Sequence, residues 1–222
     1  MQTVQSRAST PMMKRAFDIL ASGAGLFLTG WLIGLLVFLV RRESGGGGLF
    51  RQTRIGRYRK PFTCYKLRTM KRETPAGASH DTPATFVTPL GAKLRRYKLD
   101  ELPQLWNVLK GEMSLVGPRP CLPMQTMLIM ARETHGAFDV RPGITGRAQV
   151  AGIDMSEPER LAAIDGAYAR EQSFSEDMKL ILATVFGSGR GDRVALEAMP
   201  TQDTNENQNA EKRTNETPGE AP

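Results

Sequence analysis

The sequence predicts an α+β protein, mostly helical, with a small N-terminal β-hairpin, one N-terminal membrane-inserted helix and amphipathic helices on its surface. Three observations carry this. Ile19–Val40 is a run of 22 residues without a charge, and about 20 apolar residues let a helix cross the hydrocarbon core. Residues 49–70 alternate loosely between apolar and polar around the turn residues Gly56 and Lys60-Pro61, the pattern of a short hairpin. Later apolar residues recur at helical spacing between Pro and Gly stops.

The apolar run is too long for a signal peptide, and Arg41-Arg42 follow it where a cleavage site would need small residues. Lys14 and Arg15 precede it. Positive charge marks the cytoplasmic side, so a segment basic at both ends has no clear spanning orientation. A re-entrant helix puts both ends in the cytoplasm. Thr29-Gly30 offers it a break, because Gly weakens a helix and a Thr hydroxyl can bond back and bend it. The re-entrant form is the expectation and a spanning helix the alternative. Asp18 is placed to cap the helix start or to pair with Arg15. The expected organisation is a flexible N-terminus (1–13), the membrane-inserted helix (14–42), a Gly-rich joint (43–48), a cytoplasmic catalytic domain (49–195) and a disordered tail (196–222). Pro200–Pro222 has no aromatic residue and no Leu, Ile or Val, too little apolar surface to offset ordering. Gly45–Gly48 read as a flexible joint; with no Lys-Ser/Thr after them, a phosphate-cradling loop is discounted.

The net charge of +7 is uneven: residues 1–120 carry +13 and residues 121–222 carry −6. Arg41 to Arg72 hold 11 basic residues and one acid, Glu43. A basic block after an apolar segment reads as attraction to anionic headgroups and phosphate ligands. Cys64 and Cys121 have no CxxC or zinc spacing and imply a reducing compartment. Neither they nor His80 and His135 is assigned a catalytic role.

The strands are expected over Phe50–Ile55 and Phe62–Leu67, with Lys66 and Arg68 leaving one face. Met70–Thr88 reads as a loop and Leu90–Tyr97 as a short basic helix. A further helix starts with Asp100 as N-cap and Pro103 in its first turn. Leu102, Leu105, Trp106 and Leu109 form its apolar face, and Gly111 ends it. Ser114–Pro120 is a rigid turn that fixes Arg119, and Arg141–Gly146 is a second. Met124–Arg132 is Met-rich and amphipathic; core packing is the default, the membrane surface the second option. Pro158–Glu171 and Phe174–Phe186 complete the helices.

Asp100 and Glu101 are the candidate catalytic pair. Carboxylates at a helix start, ringed by Arg and Lys beside a bilayer, suit phosphate chemistry on a lipid carrier. Adjacent residues on a helix point about 100° apart, so different roles suit them better than a shared proton. Lys66, Arg68, Arg95, Arg119 and Arg141 are the candidate phosphate and nucleotide ligands, with Arg119 and Arg141 favoured because Pro-flanked turns hold them.

Several segments together resemble the bacterial sugar transferase family, the small monotopic phosphoglycosyl transferases. They are Lys14–Asp18, Phe50–Gln52, Tyr65–Met70, Leu94–Arg96, Leu99–Gly111, Met113–Pro120, Arg141–Gly146 and Ala148–Val150, and the likeness covers residues 14 to 187. It implies transfer of a sugar 1-phosphate from a UDP-sugar donor to polyprenyl (undecaprenyl) phosphate with release of UMP, on the cytoplasmic face of a bacterial inner membrane, initiating a surface glycan. It implies Mg²⁺, Asp100 as a nucleophile that becomes phosphorylated and as metal ligand, and Glu101 as partner carboxylate or base. Two departures stand out: Thr29-Gly30 where the family breaks its helix with Ser-Pro, and Arg147 where it often has an apolar residue. One rival reading is a membrane-tethered basic module binding anionic lipid or nucleic acid. The lack of regularly interleaved aromatics argues against nucleic acid. Another is a phosphotransferase with a diacylglycerol acceptor. The sugar is not specified, with Lys71–Thr88 and 121–165 the expected specificity regions; oligomeric state, homo-oligomer included, stays open.

Overall fold

The computed structural model describes residues 6–74 and 84–187. The expected tail 196–222, His80 and half of the Lys71–Thr88 loop lie outside these residues. The order is α1 (Ser6–Ser44), β1 (Leu49–Ile55), β2 (Pro61–Leu67), α2 (Pro89–Arg96), α3 (Gln104–Lys110), β3 (Ser114–Val116), α4 (Thr126–Thr134), β4 (Gly143–Thr145), α5 (Arg147–Val150), α6 (Pro158–Glu171) and α7 (Phe174–Val185). The hairpin is as expected: β1 and β2 are antiparallel, with Phe50 opposite Lys66 and Gln52 opposite Cys64. The two Pro-rich segments read as rigid turns are not turns alone. Instead Ser114–Val116 and Gly143–Thr145 pair as a two-stranded parallel sheet. Glycine makes this possible. A Cβ on Gly117 would run into the Arg141 carbonyl, and one on Gly143 into the Gly117 amide.

Helix α1 is one unbroken element from Ser6 to Ser44. It starts earlier than Lys14, and the break expected at Thr29-Gly30 is absent. The Thr29 hydroxyl does donate to the Gly25 carbonyl (2.7 Å), but a helix with its own backbone bonds intact absorbs that contact. Positions 14, 18, 22, 25, 29, 32, 36, 40 and 44 are buried or half-buried, a stripe at i, i+3 and i+4 spacing. The stripe rests along the globular part at both ends. At one end the Lys14 ammonium donates to Asp177 (2.6 Å) and to the Val116 carbonyl (3.0 Å). Asp18 accepts from the Leu115 amide (3.0 Å) and the Ser114 hydroxyl (3.2 Å), so it neither caps α1 nor pairs with Arg15. At the other end Leu36 and Val40 pack with Leu67 of β2 and Leu94 of α2. The opposite face, with Leu20, Phe27, Leu28, Trp31, Leu35 and Phe38, is exposed.

Asp100 is not an N-cap. Leu99–Glu101 is a 3-10 turn, and α3 begins at Gln104. Pro103 has no N–H for the Leu99 carbonyl, which instead takes the Leu102 amide at 3.3 Å, a bond one residue tighter. The buried face of α3 is Gln104, Asn107 and Val108, while Trp106 is 50% exposed. Of the expected apolar face Trp106 alone is exposed; Leu102, Leu105 and Leu109 are half-buried, Leu105 against Gly25 of α1. Asn107 is buried because it ties α3 to β2. Its Oδ1 accepts from the Tyr65 amide (3.1 Å) and its Nδ2 donates to the Thr63 carbonyl (2.7 Å). In α4, Leu128 and Ala131 enter the core formed with Leu161 and Ala162 of α6, and Met124, Met127 and Met130 are exposed. The methionines are therefore not core. Arg147, a departure from the family pattern, joins α5 to α6 and α7 by pairing with Glu171 (2.9 Å) and Glu176 (2.7 Å).

The Lys14–Asp177 pair is buried, and the Tyr168 hydroxyl donates to the other Asp177 oxygen (2.6 Å). Removing one partner of such a pair costs about 3–5 kcal/mol, because the other charge stays buried. Lys14→Met is expected to lose about that much in thermal or denaturant unfolding of the detergent-solubilised chain, and Lys14→Met/Asp177→Leu to recover most of it. A single variant as stable as wild type would show that α1 is not anchored through this pair.

Candidate active site

The site is assembled from β2, α2, the 3-10 turn and the segment after β3. Lys98, with φ of 56°, enters the turn in the left-handed region, an uncommon state for a residue with a side chain. It leads directly into Asp100, which is 9% exposed. Glu101 beside it is half-buried. One Glu101 oxygen accepts from the Lys66 ammonium (2.9 Å) and from the Arg119 guanidinium (3.1 Å). Lys66 comes from β2 and Arg119 from the turn after β3, so Glu101 clamps two separate parts of the chain.

Arg95 reaches the same neighbourhood through α2. Thr88 caps that helix by accepting the Gly91 amide (3.0 Å), and Pro89 takes the first position. Gly91 lies so close to Thr69 that a Cβ would run into its carbonyl. Arg95, one turn on, uses this approach, and its Nε donates to the Thr69 hydroxyl (2.8 Å). Arg119 is held from behind. Its carbonyl accepts from Arg132 (2.8 Å), whose guanidinium is bound to Asp165 (2.6 Å), both side chains nearly fully buried. Burial pushes the Asp165 carboxyl up, and Arg132 opposes this.

Burial raises the Asp100 pKa to about 6, and the neighbouring Glu101 charge adds to this; Lys66, Arg95 and Arg119 pull it down. The result is a desolvated carboxylate, still ionised near neutral pH, facing three cations. A desolvated anion is more reactive than a hydrated one, and the cations offer a seat for a charged phosphate partner.

Five candidate cations separate into two groups. Lys66, Arg95 and Arg119 gather at Asp100-Glu101. Arg68 does not. β2 ends at Leu67, so strand alternation no longer governs Arg68, whose Nε donates to the Gly47 carbonyl (2.8 Å). Arg141 does not either. Its Nε donates to the Gly111 carbonyl (2.9 Å) at the end of α3, where Arg15 also donates to the Val108 (2.7 Å) and Leu109 (2.9 Å) carbonyls. Two cations there suit the negative end of a helix. Burial, with Arg15 and Arg57 nearby, lowers the Arg141 pKa. Arg132 and Asp165 escaped sequence reading; their i+33 spacing leaves no local signal. Cys64 and Cys121 are buried free thiols with pKa values raised by desolvation, in line with the absence of a catalytic assignment.

Among the described residues no group of three or more His, Cys, Asp or Glu side chains is placed to hold a metal. Mg²⁺ is commonly held by one or two carboxylates with substrate phosphates completing its shell, so Asp100 beside Glu101 fits that donor set.

The Asp100 pKa also bears on stability. The native value lies above the ordinary 3.8, so the native state holds the proton more tightly than the unfolded chain. The stability this adds is present below pH about 3.8 and is lost as pH rises through about 6. Asp100→Asn is therefore expected to raise the thermal midpoint near neutral pH and to lose that advantage in acid. A variant less stable than wild type at neutral pH would contradict a desolvated anion.

The model of the bacterial sugar transferase family matches residues 9–190. An uncharacterised sugar transferase of Bacillus subtilis, EpsL, is 38% identical over 174 residues, 78% of this chain and 86% of the relative. A UDP-glucose:undecaprenyl-phosphate glucose-1-phosphate transferase of Caulobacter vibrioides is 39% identical over 189 residues, 81% of this chain and 70% of the relative. The exopolysaccharide production protein ExoY of Rhizobium meliloti is 35% identical over 194 residues, 78% of this chain and 84% of the relative. With a match over residues 9–190 that takes in α1, the hairpin and every cation around Asp100, the chain belongs to the bacterial sugar transferase family.

Proposed function

We propose that this chain transfers a sugar 1-phosphate from a UDP-sugar to undecaprenyl phosphate, through a phosphosugar carried on Asp100. The observation that carries the reading is a buried carboxylate with a pKa of about 6 set among Lys66, Arg95 and Arg119. The names of the relatives support donor and acceptor class: the Caulobacter protein is a UDP-glucose:undecaprenyl-phosphate transferase.

In the first step an Asp100 oxygen attacks the sugar-bearing phosphorus of the donor. The bond from that phosphorus to the bridging oxygen breaks, and UMP leaves with the electron pair. In the second step an oxygen of the polyprenyl phosphate attacks the same phosphorus, and Asp100 departs as a carboxylate. Lys66, Arg95 and Arg119 counter the charge of phosphate oxygens that would repel the nucleophile. Glu101 keeps Lys66 and Arg119 in place, which makes it a positioning residue before any role as a base. Mg²⁺, bound at Asp100 with donor phosphates, would supply further charge neutralisation.

The acceptor is a lipid, so the site must lie at a bilayer. Within the Met12–Ser44 stretch of α1 an 18-residue apolar window has a mean hydropathy of 2.2, and only 11% of that window is buried. Its outward face, with Phe27, Leu28 and Trp31, is the one to insert. Because Lys14 and Val40, at opposite ends, both rest on the same globular part, both ends lie on one side of the bilayer. That supports a monotopic placement on the cytoplasmic face of the inner membrane, with both ends of the unbroken α1 on one side.

Two measurements test the reading. With UDP-sugar alone, the wild-type chain is expected to release about one equivalent of UMP and to gain one phosphosugar mass on the Asp100 peptide, with kcat/KM rising through pH about 6. Asp100→Asn is expected to retain less than about one-thousandth of the UMP release; near wild-type turnover would end the nucleophile assignment. For topology, a cysteine at Ser6 should stay protected from an impermeant thiol reagent in intact cells, the two native cysteines being buried. Labelling from outside would mean a spanning helix.

A further inference from the structure

Gly45, Gly46 and Gly47 line an open cavity of about 500 Å³ together with Arg41, Arg68 and Arg72. Arg41 belongs to the last turn of α1, Arg68 follows β2, and the Arg72 amide donates to the Ser44 carbonyl (3.3 Å). Three distant positions thus meet. Arg68 is fixed by its bond to Gly47 (2.8 Å) and by stacking 5.5 Å over the Phe50 ring. Among the described residues no carboxylate pairs with Arg41, Arg68 or Arg72. The nearby Glu43 instead accepts the Leu90 amide (3.1 Å). The cations that act on Asp100 are others, Lys66, Arg95 and Arg119.

We propose that this cavity binds the phosphate headgroup of an anionic membrane phospholipid, at a site separate from the one that holds the acceptor. Guanidinium forks match phosphate oxygens in pairs, and glycine backbone lets an anion approach closely. The volume suits a glycerophosphate-sized group. The lipid source follows from the surroundings. Phe38 and Leu39, 51% and 40% exposed, stand one turn before Arg41. Arg42 covers the Phe38 ring at 4.6 Å. The apolar stripe of α1 therefore ends at the mouth of the cavity, at headgroup level, an inference that rests on the bilayer reading of α1. A bound headgroup would bridge α1 and the end of β2, two residues beyond Lys66.

The test uses the full chain in neutral detergent, titrated calorimetrically with short-chain phosphatidylglycerol, short-chain phosphatidylcholine and inorganic phosphate. Phosphatidylglycerol is expected to bind saturably at one per chain, more weakly as salt rises, and at least about tenfold tighter than the other two. Arg41→Gln/Arg72→Gln is expected to weaken it about tenfold or more. Gly46→Val fills the cavity from a position where the nearest atoms to a Cβ are in the side chains of Arg68 (3.4 Å) and Arg72 (3.5 Å), and is expected to do the same. Adduct formation on Asp100 with soluble UDP-sugar should be unchanged in both variants. Unaltered phosphatidylglycerol affinity in both variants, or equal binding of phosphatidylcholine, would overturn the proposal. Inorganic phosphate binding as tightly would assign the cavity to free phosphate, and stoichiometric displacement by polyprenyl phosphate would assign it to the acceptor; each overturns the proposal. A wild-type chain that binds phosphatidylglycerol but forms no adduct would refute the Asp100 reading and leave this site standing.

Discussion

The backbone of Ser114–Cys121 is the line to which the rest of the molecule is attached. The Leu115 amide meets Asp18 and the Val116 carbonyl meets Lys14 and Tyr168. The Gly117 amide donates to Thr145 (2.8 Å) and the Arg119 carbonyl accepts from Arg132. The Pro120 carbonyl accepts from Arg54 (2.9 Å), and the Cys121 carbonyl accepts the Ile55 amide (2.9 Å). Helix α1, the hairpin, β4 and the α4–α6 layer all reach this one segment. Buried backbone groups must find partners, and here the partners come from every layer. Arg119 sits in the middle of it, so the residue that clamps Glu101 is the best supported in the fold.

The Asp100-Glu101 pair balances two opposing effects. Burial disfavours the Asp100 anion, while three cations favour it. The cations repel one another, and Glu101 offsets that for Lys66 and Arg119. The pair is therefore asymmetric by environment: one carboxylate is desolvated by burial, the other holds Lys66 and Arg119.

Local features were legible along the chain. The hairpin, with its alternation and turn residues, and the helices at 89–96, 158–171 and 174–185 follow from spacing, caps and proline positions. Asp100, Glu101, Lys66, Arg95 and Arg119 were candidates because they carry charge of the right sign near a helix start or a rigid turn, and the fold brings them together. The errors also share a cause. Leu102, Leu105, Trp106 and Leu109 have core spacing, but the leucines are only half-buried and Trp106 is exposed, because spacing cannot say which face the rest of the fold covers. Asn107 takes the core position instead, because two β2 backbone groups need it. The Met124–Met130 stripe misleads in the same way, and Arg68 was assigned to a strand face one residue after the strand had ended.

By itself the sequence determined the helices, the hairpin, the apolar segment and the types of group available for chemistry, because these depend on neighbours a few residues apart. The tertiary structure decided which cations meet Asp100, that Arg141 caps α3, and that the glycine-rich turns lock into a parallel pair. It also decided that α1 rests on the globular part at both of its ends. Those choices rest on contacts such as Lys14 with Asp177 and Arg132 with Asp165. Their partners lie 163 and 33 residues apart, and only burial of the intervening layers selects them.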